Sequence, residues 1–190
     1  TKNFLTLTEY DPSFKLPMAF PSIPIHRVLA NLFAEHEIKN LRLAETEKCA
    51  HVSYFFNGGQ EQPFPGEERI LIPSPQVSTY DLRPEMSASE ITDRLLYEID
   101  RRCYQAVVLN FANADMVGHT GDLEATIRAV EAIDECMALI YQKVQRIGGV
   151  IMITADHGNA EKMIDPMTGQ IHTAHTANPV PFILVDDWAS

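Results

Sequence analysis

Long apolar runs are missing from this 190-residue chain: none approaches the roughly 18 residues that a helix needs to cross a bilayer. Positive charge is scarce too. Lys and Arg number 15 against 26 Asp and Glu, a formal net charge of −11. No broad phosphate-neutralising surface can be built from that balance, which argues against unaided binding to nucleic acid and against anionic membrane surfaces. Cysteine is limited to Cys49, Cys103 and Cys136, with no C-x-x-C pair. A disulfide framework is not expected, and a reducing cytoplasm is the expected compartment. The start, Thr1 to Phe4, lacks a signal-peptide pattern and an initiator methionine, so a cut or processed piece is expected. Internal repeats and low-complexity tracts are lacking as well.

What is present is globular composition, 45% hydrophobic and 22% charged. A chain of this length makes one domain, or one domain plus a fragment of another, and can bury roughly 70% of the surface its unfolded form exposes. Residues 1–24, punctuated by Pro12, Pro17, Pro21 and Pro24, read as a linker or the tail of another domain. A helix is expected from Ile25, with Pro24 in its first turn and Val28, Leu29, Leu32 and Phe33 on one face. Leu41–Ala44 reads as a short strand, and His51–Phe56 (HVSYFF), β-branched and aromatic before Asn57-Gly58-Gly59, as another. Arg69–Ile72 is a brief strand. Ser87 and Glu90 form a capping box ahead of a helix lined by Ile91, Leu95 and Ile99. Ala106–Phe111 is an apolar run suited to a strand buried on both faces. Asp122 caps a long helix that Gly148-Gly149 stops. Val150–Thr154 and Phe182–Val185 are two further buried strands. This rhythm predicts an α/β fold with a mostly parallel sheet flanked by helices.

Two strands end in polar clusters. Asp115 and His119 follow Ala106–Phe111, and Asp156 and His157 follow Val150–Thr154. Ligands of open α/β sheets bind at the carboxyl ends of strands. The spacing of four between Asp115 and His119 points both the same way in a helical turn. A lone Asp-His pair is most simply a turn or a cap, but two pairs at strand ends converge on one rim. A third segment, His172-Thr173-Ala174-His175-Thr176, can add one histidine to make two Asp and three His. Such ligands suit zinc or manganese better than magnesium or calcium, and two cations would clamp a phosphoryl group. The cysteines read as small core or helix residues, Met116 and Met152 as packing, Asp165–Gly169 as a surface turn, and His26, His36 and His51 as structural.

The stretches LAETEKCAHV (Leu43–Val52), FNGGQEQPFPG (Phe56–Gly66), IPSPQVSTYDLRPEM (Ile72–Met86), NFANADMVGHTG (Asn110–Gly121), TADHGNAE (Thr154–Glu161) and TAHTANPVP (Thr173–Pro181) resemble, in order, the cofactor-independent (2,3-bisphosphoglycerate-independent) phosphoglycerate mutases of the alkaline phosphatase superfamily. The resemblance implies an alkaline phosphatase-like fold, here incomplete. Residues 1–24 would be the end of a transferase domain and linker, and residues 25–190 the carboxyl-side part of the metal-binding phosphatase domain. It implies a site of two manganese ions, with zinc or magnesium as alternatives. Asp115, His119 and His175 would hold one ion, and Asp156 and His157 would help hold the other. Lys48 would contact the substrate phosphate; an ammonium there offsets charge that develops in the transition state. His172 falls outside this assignment, and Cys49 departs from the aromatic residue expected after the lysine.

The implied reaction interconverts 2- and 3-phosphoglycerate in glycolysis through a phosphoserine. The resemblance places the nucleophilic serine and the substrate-clamping arginines in regions expected to lie outside this chain. Ser53, Ser74, Ser78 and Ser87 are not substitutes, so the isolated chain is expected to be inactive. The expected partners are phosphoglycerate, a second copy of the chain or the missing amino-terminal part, without nucleic acid or membrane. The competing expectations are a metal-dependent phosphatase or phosphopentomutase of the same superfamily, and a non-catalytic truncated fragment.

Overall fold

Strand β1 (Asn40–Glu45) is buried at all six positions, although half of them are polar. The computed structural model describes residues 4–9, 12–21, 25 and 27–186. In it β1 is the central strand of a parallel sheet, between β2 (Glu67–Ile72) and β3 (Ala106–Leu109). Leu41 and Leu43 enter a core with Ile91 and Leu95 of helix α2 (Ala88–Arg101) and Ile140 of helix α4 (Leu123–Arg146). Alternation sends Arg42 to the opposite face. There its guanidinium lies 4.5 Å from the centroid of Phe56 and 5.8 Å from that of Phe33. Burial pushes the Arg42 pKa down, opposed by the nearby Glu67 carboxylate.

Parallel strands must be joined by crossovers that cover a sheet face, usually with helix. This overrides the strand expected at His51–Phe56. Thr46–Lys48 is a 3-10 turn, His51–Phe55 is a π-helical turn, and Ser53 Oγ donates to the Cys49 carbonyl at 2.7 Å. The segment carries Phe56 over Arg42, and Asn57 Nδ2 donates to Glu67 Oε2 at 2.8 Å. A strand could not make this return.

Helix α1 (Leu29–Glu35) begins later than expected, and Pro24 and His26 lie outside the described residues. Ser87 stands at the N-cap of α2, but the predicted capping box is not formed. Its hydroxyl donates instead to the Pro73 carbonyl at 2.8 Å, and Glu90 pairs with Arg83. Asp122 does cap α4, accepting from Ala125 N at 2.8 Å. Gly148, at φ 68°, follows the end of that helix, in the left-handed region glycine enters without penalty.

Strands β4 (Ile151–Thr154) and β5 (Phe182–Val185) form a separate antiparallel ladder. The expectation that both are buried is corrected. Ile151 packs on the main core, but Met152, Phe182 and Leu184 are 70%, 67% and 48% exposed. Met152 pairs with Leu184 and Thr154 with Phe182, so these apolar side chains share one bare face. Nor is β3 enclosed on both faces, since Val107 is exposed. Cys136 is buried and Cys49 partly so, whereas Cys103 is exposed and not a core residue. Asp165 forms the predicted turn, its Oδ1 accepting from Met167 N and Thr168 N.

Candidate metal centre

Four loops meet at the carboxyl rim of the sheet. β1 runs into the turn that carries Lys48. β3 leads into the short helix α3 (Asn113–Gly118), which carries Asp115, with His119 at its C-cap. β4 leads to Asp156 and His157. Because β5 is antiparallel to β4, with Thr154 opposite Phe182, the segment before β5, which holds His175, begins at that same rim. Thr176 N donates to the Gly158 carbonyl at 2.9 Å, which locks the His175 segment onto the loop after β4.

The convergence centres on Asp115 Oδ1. It lies 3.2 Å from His119 Nε2, 3.0 Å from His175 Nε2 and 4.0 Å from His157 Nε2. The His119 and His175 Nε2 atoms are themselves 3.0 Å apart. His157 stacks on His175 with centroids 3.7 Å apart, and its Nε2 lies 3.7 Å from Asp156 Oδ2. The other carboxylate oxygen of Asp115 faces Lys48 Nζ at 2.5 Å. All six residues singled out in the sequence therefore gather at one place.

Tautomers follow from the partners. His119 Nδ1 faces the Thr173 carbonyl at 2.6 Å and must donate to it, which in the neutral ring leaves the Nε2 lone pair free. A proton on His175 Nε2 could satisfy either His119 Nε2 or Asp115 Oδ1, but not both. A divalent cation would satisfy all three atoms at once. Ligand atoms about 2.0–2.1 Å from a tetrahedral ion stand about 3.3 Å apart, close to the 3.0–3.2 Å separations seen here. The donor set thus fits a cation held by mixed imidazole and carboxylate ligands.

Burial alone would raise the pKa of Asp115. The hydrogen bonds from Lys48 and from Asn159, with the Lys48 charge, outweigh it and bring the carboxyl down to about 2. The same ammonium adds to burial in pushing the His51 pKa down. His51 Nδ1 is buried without a partner. His172 takes no part in the cluster; its backbone N donates to the Met163 carbonyl at 2.9 Å.

Two residues of this rim escape sequence reasoning. Asn159 donates through Nδ2 to Asp115 Oδ1 at 2.9 Å. Glu161 accepts from Thr176 Oγ1 and, at 2.8 Å, from Asn178 Nδ2, tying down the segment that carries His175. Both stand in the loop directly after Asp156-His157, but nothing in the sequence marks their partners.

The metalloenzyme superfamily matches residues 20–189. The chain belongs to that superfamily. The 2,3-bisphosphoglycerate-independent phosphoglycerate mutase of Vesicomyosocius okutanii subsp. Calyptogena okutanii (strain HA) is 56% identical over 184 residues, covering 97% of this chain and 36% of that protein. The protein of the same name from Pseudomonas paraeruginosa (strain DSM 24068 / PA7) is 56% identical over 182 residues, covering 96% of this chain and 35% of its own length. Among solved structures, Leishmania mexicana phosphoglycerate mutase, crystallised at low cobalt concentration, matches with a TM-score of 0.86 at 32% identity, over 96% of this chain and 36% of that one. The expected α/β class holds, and the chain spans about a third of the length of these relatives. Among the described residues no helix is long and apolar enough to cross a membrane.

Proposed function

We propose that this chain is the carboxyl-side, metal-binding part of a cytoplasmic phosphoglycerate mutase, an isomerase of glycolysis that interconverts 2- and 3-phosphoglycerate through a phosphoserine. The observation that carries this reading is the meeting of Asp115 Oδ1, His119 Nε2 and His175 Nε2 within 3.2 Å, with Lys48 on the far oxygen of the same carboxylate. Relatives at 56% identity bear the mutase name.

In this reading Asp115, His119 and His175 hold one manganese, and Asp156 and His157 contribute to a second. Bound there, the ions would supply charge to offset that of a transferring phosphoryl group. Lys48 is 5% exposed and ion-paired. Its task is to exchange part of that pairing for an incoming phosphate oxygen, which keeps the ammonium desolvated and its field strong. His119 Nδ1, anchored on Thr173, holds the ring so that Nε2 faces inward.

The nucleophile is not expected among this chain's serines. Ser53 and Ser87 are engaged as donors to the Cys49 and Pro73 carbonyls, and Ser74 Oγ accepts from Glu47 N at 3.4 Å. Residues 1–24 belong in this proposal to a transferase domain and its linker. The bare face of Met152, Phe182 and Leu184 is the surface against which the rest of a longer polypeptide, or a second copy, would pack.

The test has two arms. Manganese binding to the purified chain is compared with His119→Ala and His175→Ala, and equal binding in all three removes the site assignment. Turnover of 3-phosphoglycerate and of a generic phosphate ester is then measured with manganese. The chain alone should turn over neither, and mutase activity should appear only when the amino-terminal two-thirds of a relative is supplied. Ester hydrolysis without mutase activity would favour a phosphatase.

A further inference from the structure

We propose that Asn159 is a positioning residue of the metal centre: its amide NH2 holds Asp115 Oδ1 as the single cation-facing oxygen, while Lys48 occupies Oδ2. The inference rests on the metal-centre reading above and extends it to a residue outside the proposed ligands.

Asn159 is 4% exposed, at the turn after His157 and Gly158. Its Nδ2 donates to Asp115 Oδ1 at 2.9 Å and to the Asp115 carbonyl at 3.3 Å. Both acceptors belong to one residue, so the amide grips the backbone and the carboxylate of Asp115 together. The orientation of the amide is settled by chemistry. Asp115, ion-paired with Lys48, can only accept, so Asn159 must turn its NH2 toward it.

Asn159 Oδ1 is thereby directed at α3, where it is buried with no donor. A Cβ on Gly118 would stand 2.7 Å from this oxygen, so the glycine leaves the space the amide needs. An unsatisfied buried acceptor costs stability, and an apolar side chain of similar size would avoid that cost. The arrangement gains in return a carboxylate whose two oxygens are distinguished. Oδ2 is taken by Lys48, and Oδ1 is aimed between the His119 and His175 Nε2 atoms. Without the Nδ2 bond the carboxylate is free to rotate about its Cβ–Cγ axis and pair both oxygens with the ammonium. The same bond ties the loop bearing His157 to the helix bearing Asp115.

Cobalt(II) is the probe, because its visible absorption reports ligand number and geometry. Titrations are run on the full chain and on its Asn159→Ala and Gly118→Ala variants, with circular dichroism confirming the fold of each. The second variant keeps the amide and displaces it with the added methyl, so it carries the test if Asn159→Ala does not fold. The expected result is about 10–100-fold weaker cobalt affinity, the usual consequence of removing a partner behind a metal ligand, with an altered absorption band in both variants. Parent-like affinity and an unchanged band in either folded variant would overturn the inference and leave the metal-centre reading standing. Failure of the parent chain to bind cobalt would overturn both.

Discussion

Lys48 Nζ lies 2.5 Å from Asp115 Oδ2, joining residues 67 positions apart across the carboxyl ends of β1 and β3. Both side chains are largely buried, at 7% and 14% exposure. Removing one member of such a pair leaves the other's charge uncompensated, which typically costs about 3–5 kcal/mol. Because Asp115 keeps some solvent, Lys48→Met in the metal-free chain should cost about 3 kcal/mol, read as a lower urea midpoint at neutral pH. An unchanged midpoint would mean the pair contributes nothing net.

The same carboxylate predicts a pH dependence. Its ordinary pKa of 3.8 falls to about 2 in the fold. A depressed carboxylate stabilises the native state fully above its unfolded pKa, and that contribution is lost as pH falls through the folded value. Metal-free chain should therefore lose about 2 kcal/mol from this group between roughly pH 4 and pH 2. Urea midpoints followed across this window should show a smaller acid-side loss for Asp115→Asn than for the parent.

Metal removal should also be visible in stability. An ion that binds only the folded chain adds about 2.7 kcal/mol when free metal is 100 times its Kd. Manganese should raise the melting temperature and a chelator should reverse the rise, as followed by scanning fluorimetry. His175→Ala should abolish the shift while leaving the metal-free melting temperature near the parent's, since that side chain is exposed. A parent-sized shift in the variant would place the ion elsewhere.

Gly158 marks where the two histidine-bearing loops touch. A Cβ there would collide with Thr176 Oγ1 and with the Glu161 carboxylate, the pair that fixes the His175 segment. Gly158→Ala should therefore weaken manganese binding about tenfold or more, while Gly148→Ala, which meets no atom within 4 Å, should leave it unchanged and cost only backbone strain. Calorimetric titration of both variants separates these outcomes.

The rim that gathers these side chains could be read from the sequence where chemistry coincides with a strand end. Asp115, His119, Asp156 and His157 each follow an apolar run, and the four-residue spacing of the first two places them together once α3 forms. The stretch from His51 to Phe56 could not be read this way. Its β-type composition is overridden by the crossover that parallel pairing of β1 and β2 demands, and by the need to cover Arg42. Exposure on β4 and β5 was equally illegible, because an apolar strand signals a face to be covered and not what lies against it. Asn159 and Glu161 act through contacts with Asp115 and Thr176, 44 and 15 residues away, and no local spacing encodes such distances.

The face made by Met152, Phe182 and Leu184 has a practical consequence for handling the chain. Three large apolar groups side by side on one ladder will limit the concentration it tolerates before precipitating, by a route that leaves the native fold intact. Replacing Met152 with lysine would put a charge beside Leu184 in that strip, on the strand surface away from the core-facing Ile151. Yield and clarity of concentrated stocks would then improve without disturbing the rim where the histidines gather.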